Sequence, residues 1–429
     1  MTCRDALAPV LTLLALALFA LGGAAFAALL KGCFTLRRMA RERWRNLSSA
    51  LLKSPLVPAV AVLAAPEGSS AESLRLARRL LDLEFGKHEL VVALDGPSES
   101  DLEVWAREFR LYSSGRTPAK GLNTAAVRGI YESRDPIRLT VVDKERGGQD
   151  DALNAAINAT SAPLIAWFDP RDEFTTDALL RLVAPMLEEG QRTIAACGFA
   201  PPPPAGGVAG LIGGLESLRL WLGRCAALAG WNRLAPVPGA ATILDREAVR
   251  SAGGFRAGIL DLVVRLHRQA RASGSPYRVA LVPEGISHPR APRSLADLRQ
   301  ATLRDQREIA RAARFGWHSP LAGLVAERLL RPLVETVALI LTAAGAALGW
   351  VDPALAGLVL LAAVAMGMVI SMAAVVLREL AQHEGSDPGR LAGSFFAAIP
   401  ENLGYRQWRN LWLIAGCFKR REPRRRGSN

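Results

Sequence analysis

The segment from Ala6 to Leu30 carries no charged side chain over 25 residues, and no other feature constrains the chain as strongly. At about 1.5 Å per helical residue such a run crosses the roughly 30 Å hydrocarbon layer of a bilayer with some tilt. A cleaved signal peptide is the competing reading, since Ala25-Phe26-Ala27 has the small-residue form of a cleavage site. The run is longer than a signal-peptide core, however, and its basic cluster follows the apolar stretch. Residues 1–31 are expected to be a transmembrane helix.

Charge then sets an orientation. Lys31, Arg37, Arg38, Arg41, Arg43 and Arg45 follow the apolar run directly, and residues 32–56 form a basic juxtamembrane linker. By the positive-inside rule this end faces the cytoplasm and the N-terminus lies outside. A second apolar group runs from Thr336 to Val351, turns at Asp352-Pro353 and continues uncharged to Leu377. Residues 329–377 are expected to form a hairpin that leaves the cytoplasm and returns, with its start near Glu335 poorly marked. Residues 378–429, with Phe395, Phe396, Trp408 and Trp412 among several arginines, suit the membrane interface. The tail Lys419, Arg420, Arg421, Arg424, Arg425 and Arg426 keeps the C-terminus inside. The sum is a multi-pass protein of the inner (cytoplasmic) membrane whose main domain is cytoplasmic.

The chain has 53 Lys and Arg against 40 Asp and Glu, a net charge of +13, and half of its residues are hydrophobic. That composition excludes an acidic disordered chain, and the length excludes a small disulfide scaffold. Because the basic clusters flank apolar spans, topology and anionic lipid explain them, and a nucleic-acid partner is not expected. The five cysteines, Cys3, Cys33, Cys197, Cys225 and Cys417, lack paired spacing and read as packing residues in a reducing compartment.

Residues 57–328 alternate strand and helix in their first half. Pro58–Ala65, Glu89–Leu94, Ile137–Val142 and Leu164–Phe168 read as buried strands, and Ser70–Leu83 and Ala152–Ala159 as helices. This rhythm argues for an α/β fold with a mainly parallel sheet, which binds ligands at the carboxyl ends of its strands. Asp95 and Asp169 both stand there. Asp95 could accept hydrogen bonds from a nucleoside, or merely make a turn or cap the next helix. Asp169-Pro170-Arg171-Asp172 could hold Mg²⁺ or Mn²⁺ through carboxylates, or Asp172 could pair with Arg171 or cap the helix that follows. Val208–Trp231 is apolar but carries Glu216, Arg219 and Arg224, which suits a membrane surface better than a span. No phosphate loop, His-Glu metal signature or elbow serine appears.

Several stretches carry a family resemblance. Pro58-Ala-Val-Ala-Val-Leu, Glu89-Leu-Val-Val-Ala-Leu-Asp95-Gly96, Gly147-Gly148-Gln149-Asp-Asp-Ala-Leu-Asn154 and Leu164-Ile-Ala-Trp-Phe-Asp169 are similar to the nucleotide-sugar half of bacterial membrane-bound family 2 glycosyltransferases. Pro238-Gly239-Ala240, Gly253-Gly254-Phe255, Leu262–Arg268 and Val282-Pro283-Glu284 are similar to the acceptor half, and Glu401–Gln407 to the closing segment of such proteins. The resemblance implies a GT-A fold over residues 57–328, with a nucleotide-sugar half at 57–195 and an acceptor half at 196–328. It also implies a nucleotide-diphosphate sugar and Mg²⁺ or Mn²⁺ as ligands, with Asp95, Gln149, Asp169, Arg171 and Arg304 at substrate-binding positions and Asp169 as the metal residue.

The chemistry-bearing positions depart from that pattern. The second acid of the Asp-x-Asp pair falls at Arg171, and Gln149 stands where Lys or Arg usually follows the Gly-Gly of the nucleotide loop. The Glu-Asp pair supplying the general base falls at Gly258-Ile259, and the Gln-x-x-Arg-Trp motif at Ala301–Asp305 keeps only Arg304. Ile259 cannot take a proton, and Asp261, two residues on, is turned away by about 200° on a helix. Asp261 is therefore a weak candidate base, and Arg171 an alternative to metal for neutralising a diphosphate. Two functions stay open. One is a non-catalytic partner in envelope polysaccharide or glycolipid assembly, working with other assembly proteins. The other is an active inverting glycosyltransferase serving a lipid-linked or polysaccharide acceptor.

Overall fold

A computed structural model describes residues 3–43, 57–119, 121–188, 190–198, 207–234, 241–283, 286–288, 290–314, 319–382 and 388–418. The break at Pro201–Pro204, the Pro238-Gly239-Ala240 motif, Arg45, Glu284 and the basic tail from Lys419 lie outside them. The chain divides into two compact units, one of Met1–Arg37, Pro202–Gly230 and Ala291–Asn429, the other of Arg38–Pro201 and Trp231–Arg290. The acceptor half expected at 196–328 is thus shared between them. Residues 208–230 and 291–328 belong to the helical unit because their helices bury apolar and charged faces within it.

The α/β unit is built on nine strands: β1 (Val60–Ala64), β2 (His88–Asp95), β3 (Leu111–Ser113), β4 (Val127–Ser133), β5 (Leu139–Lys144), β6 (Leu164–Trp167), β8 (Arg192–Gly198), β9 (Ala241–Asp245) and β10 (Tyr277–Val282). A separate antiparallel pair joins β7 (Glu173–Phe174) to β11 (Ser287–His288). The order across the large sheet is β10-β8-β9-β6-β1-β2-β5-β4-β3. The centre β6-β1-β2-β5 is parallel, and β9 and β4 run against the rest. The continuous apolar runs follow from that placement: every residue of β1 is buried, as expected of a strand covered on both faces. Helices Ser70–Leu81 and Glu99–Glu108 add Leu76, Leu80 and Trp105 to the core.

Helix starts are fixed by caps. Ser69 accepts from the Glu72 amide, and Ser98 forms a capping box with Asp101. Ser98, and not Asp95, caps the helix after β2.

In the helical unit, Pro9–Ala40, Ala322–Ala347 and Pro353–Leu380 are long and apolar enough to cross a membrane. The second begins well before Glu335. Its Glu327, Arg328 and Glu335 hid the start in the sequence, and each is paired inside the unit, with Arg224, Glu216 and Arg406 respectively. Asp352 makes the expected turn by capping the helix Pro353–Gln382 through the Ala354 and Leu355 amides at 2.8 and 3.1 Å. The stretch Val208–Trp231 is a helix through Ala229 whose Ile212, Leu215, Leu218 and Trp221 are buried. Its charges do not all face outward: Glu216 and Arg219 are held in ion pairs within the unit. The closing segment is two helices, Pro388–Pro400 and Arg406–Phe418, joined through a kink at Leu403-Gly404.

His267, fully buried on the helix Ile259–Ala272, donates from Nε2 to the Leu234 carbonyl at 2.8 Å and meets the Tyr277 hydroxyl at 3.0 Å through Nδ1. Burial drives its imidazole down to about 4, against the Leu234 bond and with help from Arg271. The unfolded chain, with His near 6.5, binds a proton that the folded one refuses. This stability is complete above about pH 6.5 and is lost as pH falls toward 4, up to about 3 kcal/mol. Amide-exchange protection across β10, corrected for intrinsic rates, should fall over that interval in wild type, and His267→Gln should flatten the slope.

Candidate active site

The parallel centre of the sheet sets the geometry. β2 and β6 flank β1, so their carboxyl ends lie two strand spacings apart, roughly 10 Å. Asp95 ends β2 and Asp169 follows β6, both at the carboxyl ends of these strands.

Asp95 is engaged by its own chain. Its carboxylate accepts from Lys144 Nζ at 2.8 Å and from the Gly147 and Gly148 amides at 2.7 and 2.9 Å. Partial burial works against the charge, but these donors hold Asp95 below the usual carboxylate range. Lys144 ends β5 beside Asp95, is fully buried, and also contacts Asp151 at 2.5 Å. Asp151 in turn accepts from the Ala125 amide. The two glycine amides that precede the helix Gln149–Ala159 are therefore directed at Asp95. Gln149 itself, the first helical residue, is exposed.

Asp169 is also matched within the chain. Buried to 2% exposure, it accepts from the Arg171 backbone amide at 2.9 Å and Nε at 2.7 Å, and its other oxygen pairs with the Arg171 terminal nitrogen. A guanidinium thus bridges both oxygens of the carboxylate that a divalent cation would need. In the sequence Asp172 was the partner open to Arg171, and the structure adds Asp169 as one. Asp172 is buried and accepts from the Ser287 hydroxyl at 3.4 Å, and its carbonyl accepts from Arg79. Nor does Asp172 cap the next helix, where Asp177 is the N-cap residue. Among the described residues no group of three or more His, Cys, Asp or Glu is arranged to hold a metal. One carboxylate already bridged by a guanidinium does not fit Mg²⁺ or Mn²⁺, which need several oxygen ligands.

The position at which the resemblance puts the base is buried. Gly258 is the N-cap of the helix Ile259–Ala272, its amide donates to Asp150 at 3.1 Å, and Ile259 is 1% exposed. Asp261, 2% exposed, pairs with Arg265 one turn on at 2.8 Å. The same guanidinium donates to the Gly254 carbonyl at 2.6 Å and to the Ala252 carbonyl. Gly254 has φ +69° and a Cβ there would lie 2.3 Å from Asn154 Oδ1, so this turn admits only glycine. Asn154 fastens it by exchanging two hydrogen bonds with the Phe255 backbone at 2.9 and 2.7 Å. Arg304 is half-buried on the helix Leu295–Arg314, which belongs to the helical unit.

The structure thus gathers Asp95, Gln149, Asp169, Arg171 and Asp261 in one unit and gives three of the acids their own cations. Lys144, Asp150, Asp151 and Arg265 complete the arrangement and were not singled out by sequence reasoning. The Asp261-to-Arg265 spacing of one helical turn was the signal for one of these pairs.

No protein-family model and no curated protein matches the chain. Among solved structures, mannosyltransferase PcManGT from Pyrobaculum calidifontis, in complex with GDP-Man and Mn²⁺, is 19% identical with a TM-score of 0.54, over 92% of this chain and 99% of that one. S. aureus TarS residues 1–349 align at 13% identity and TM-score 0.36 over 82% of this chain and 92% of that one. Glucosyl-3-phosphoglycerate synthase from Mycobacterium tuberculosis aligns at 18% and 0.36 over 64% and 86%. The first of these carries the fold: this chain has a GT-A type glycosyltransferase fold together with three helices of membrane-spanning length.

Replacing Arg265 by Met would leave the buried Asp261 carboxylate without its cation. Urea unfolding followed by amide exchange in the helix Ile259–Ala272 should register a loss of about 3 to 5 kcal/mol, and the double change with Asp261→Asn should cost less than the single one.

Proposed function

We propose that the chain is a membrane-bound, family 2 glycosyltransferase-like protein that binds a nucleotide-diphosphate sugar but does not transfer it, acting as a non-catalytic partner or regulator in envelope polysaccharide or glycolipid assembly. The observation that carries this reading is the fate of Asp261, the acid nearest the base position: it is buried and bound to Arg265. A general base contributes about 10² to 10⁴ in rate; Ile259 has no proton acceptor, and Asp261 is buried and engaged by Arg265. The proposed place is the inner membrane, with three spans, the N-terminus outside and the α/β unit in the cytoplasm, in keeping with the basic residues after the first span.

Nucleotide recognition would rest on Asp95, with Gln149 as a further contact in the same unit; Arg304 is proposed separately as a substrate contact of the helical unit. Arg171 supplies the positive charge that a diphosphate requires, so the proposed binding needs no metal. The GDP-Man of the mannosyltransferase neighbour makes GDP-mannose the first donor to try, and UDP-glucose the second. The competing proposal, an active inverting transferase, requires Asp261 to leave Arg265 during turnover.

Calorimetry on the detergent-purified full chain decides between them. The expected outcome is binding of one of these donors that EDTA does not alter and that Asp95→Ala weakens by about 1 to 3 kcal/mol, with no sugar transfer or donor hydrolysis above background. Turnover that Asp261→Asn abolishes would replace this reading with the active one.

A further inference from the structure

The helical unit holds a partly open cavity of about 250 Å³ that the strand-end site does not involve. Its polar wall carries Arg219, Arg224, Arg328, Arg331, Arg406 and Arg409 against Glu216 and Glu327. Two more acids stand behind it: Glu401 pairs with Arg219, and Glu335 with Arg406 at 2.9 Å. Asp305 lies 4.0 Å from Arg328. Even with all of these acids counted, the arginines remain in excess.

The excess is one charge, and the pairs are not one to one. Glu216 is contacted by Arg328 at 3.0 Å and Arg409 at 3.2 Å at once. Burial opposes its charge, yet Arg409, Arg328 and Arg219 keep it below the usual carboxylate range. Burial also pushes the Arg406 guanidinium below its ordinary range, with Arg409 and Arg219 adding to the effect against Glu335. Arg409 Nε is buried with no hydrogen-bond partner among the described residues. Even one surplus positive charge in a partly buried cavity is costly unless an anion shares it. Several guanidinium groups converging on one space suit the tetrahedral oxygens of a phosphate.

The opposite wall has different chemistry. Leu21, Ala25, Ala28 and Leu29 of the first membrane-length helix face the cavity. A soluble anion has no use for that surface, whereas a phosphate carried on a hydrocarbon chain satisfies both walls.

We propose that this cavity binds the phosphate headgroup of a membrane lipid, with Arg331 and Arg409 as phosphate contacts and the Leu21–Leu29 face as the wall for its chain. The inference rests on the membrane reading of the spans but not on nucleotide binding, so the two can fail separately.

The test uses the full-length protein in neutral detergent, with thermal unfolding and native mass spectrometry as readouts and dioleoyl phosphatidic acid, dioleoylglycerol and inorganic phosphate as probes. Phosphatidic acid should raise the midpoint and remain bound, and dioleoylglycerol should do neither. Arg331→Gln and Arg409→Gln should each weaken phosphatidic acid by about tenfold or more, the worth of one charge-assisted hydrogen bond. Ala28→Phe, which keeps every charge but fills the apolar wall, should weaken it similarly while GDP-mannose binding is unchanged. Phosphatidic acid without effect, or affinity unchanged in the arginine variants, overturns the proposal. Inorganic phosphate binding as tightly as phosphatidic acid, with Ala28→Phe neutral, overturns its lipid part and leaves a site for a free anion.

Discussion

The buried ammonium of Lys144 holds the strand-end region together. It sits at the end of β5 with no solvent exposure and reaches Asp95 on β2 and Asp151 on the helix that follows. A buried ammonium is tolerable only where carboxylates meet it, and a carboxylate in a crevice is stable only where a cation or several amides meet it. Removing either partner would leave the other uncompensated, which ties the loop Glu145–Gly148 to the sheet. The same rule repeats at Asp169 with Arg171 and at Asp261 with Arg265. Where a metal-using site leaves its acids to be matched by an arriving cation, these acids are matched by the chain itself.

Much of the α/β architecture was legible in the sequence because period and apolarity report burial directly. The runs at Val60–Ala64 and Leu164–Trp167 became adjacent parallel strands, and Asp95 and Asp169 took strand-end positions. Side-chain pairing was not legible to the same degree. Arg171 had acids at two nearby positions in the sequence, and only the folded backbone shows that Asp169 accepts from both its amide and its guanidinium. Lys144 meets Asp151 through a tertiary contact that no local pattern announces. The second membrane-length helix was misplaced at its start for a related reason: a charge counts against a span in sequence, but not once a partner from a distant helix covers it.

The helical unit presents the converse electrostatic situation. In the α/β unit the acids at the candidate site are satisfied by local cations. In the helical unit cations outnumber the acids around a cavity with one apolar wall. A GT-A fold alone fixes neither chemistry, since function lies in the side chains placed on the scaffold. At Asp169 the cation beside the carboxylate is a covalently attached guanidinium.

In this reading Arg171 occupies electrostatically the place of a divalent ion beside Asp169. Electron paramagnetic resonance of Mn²⁺ titrated with the full-length protein in the presence of GDP tests it most directly. Wild type should give no protein-bound Mn²⁺ signal, and Arg171→Asp, which supplies a second carboxylate and removes the guanidinium, should produce one. A bound-Mn²⁺ spectrum from wild type that disappears in Asp169→Asn would contradict the account.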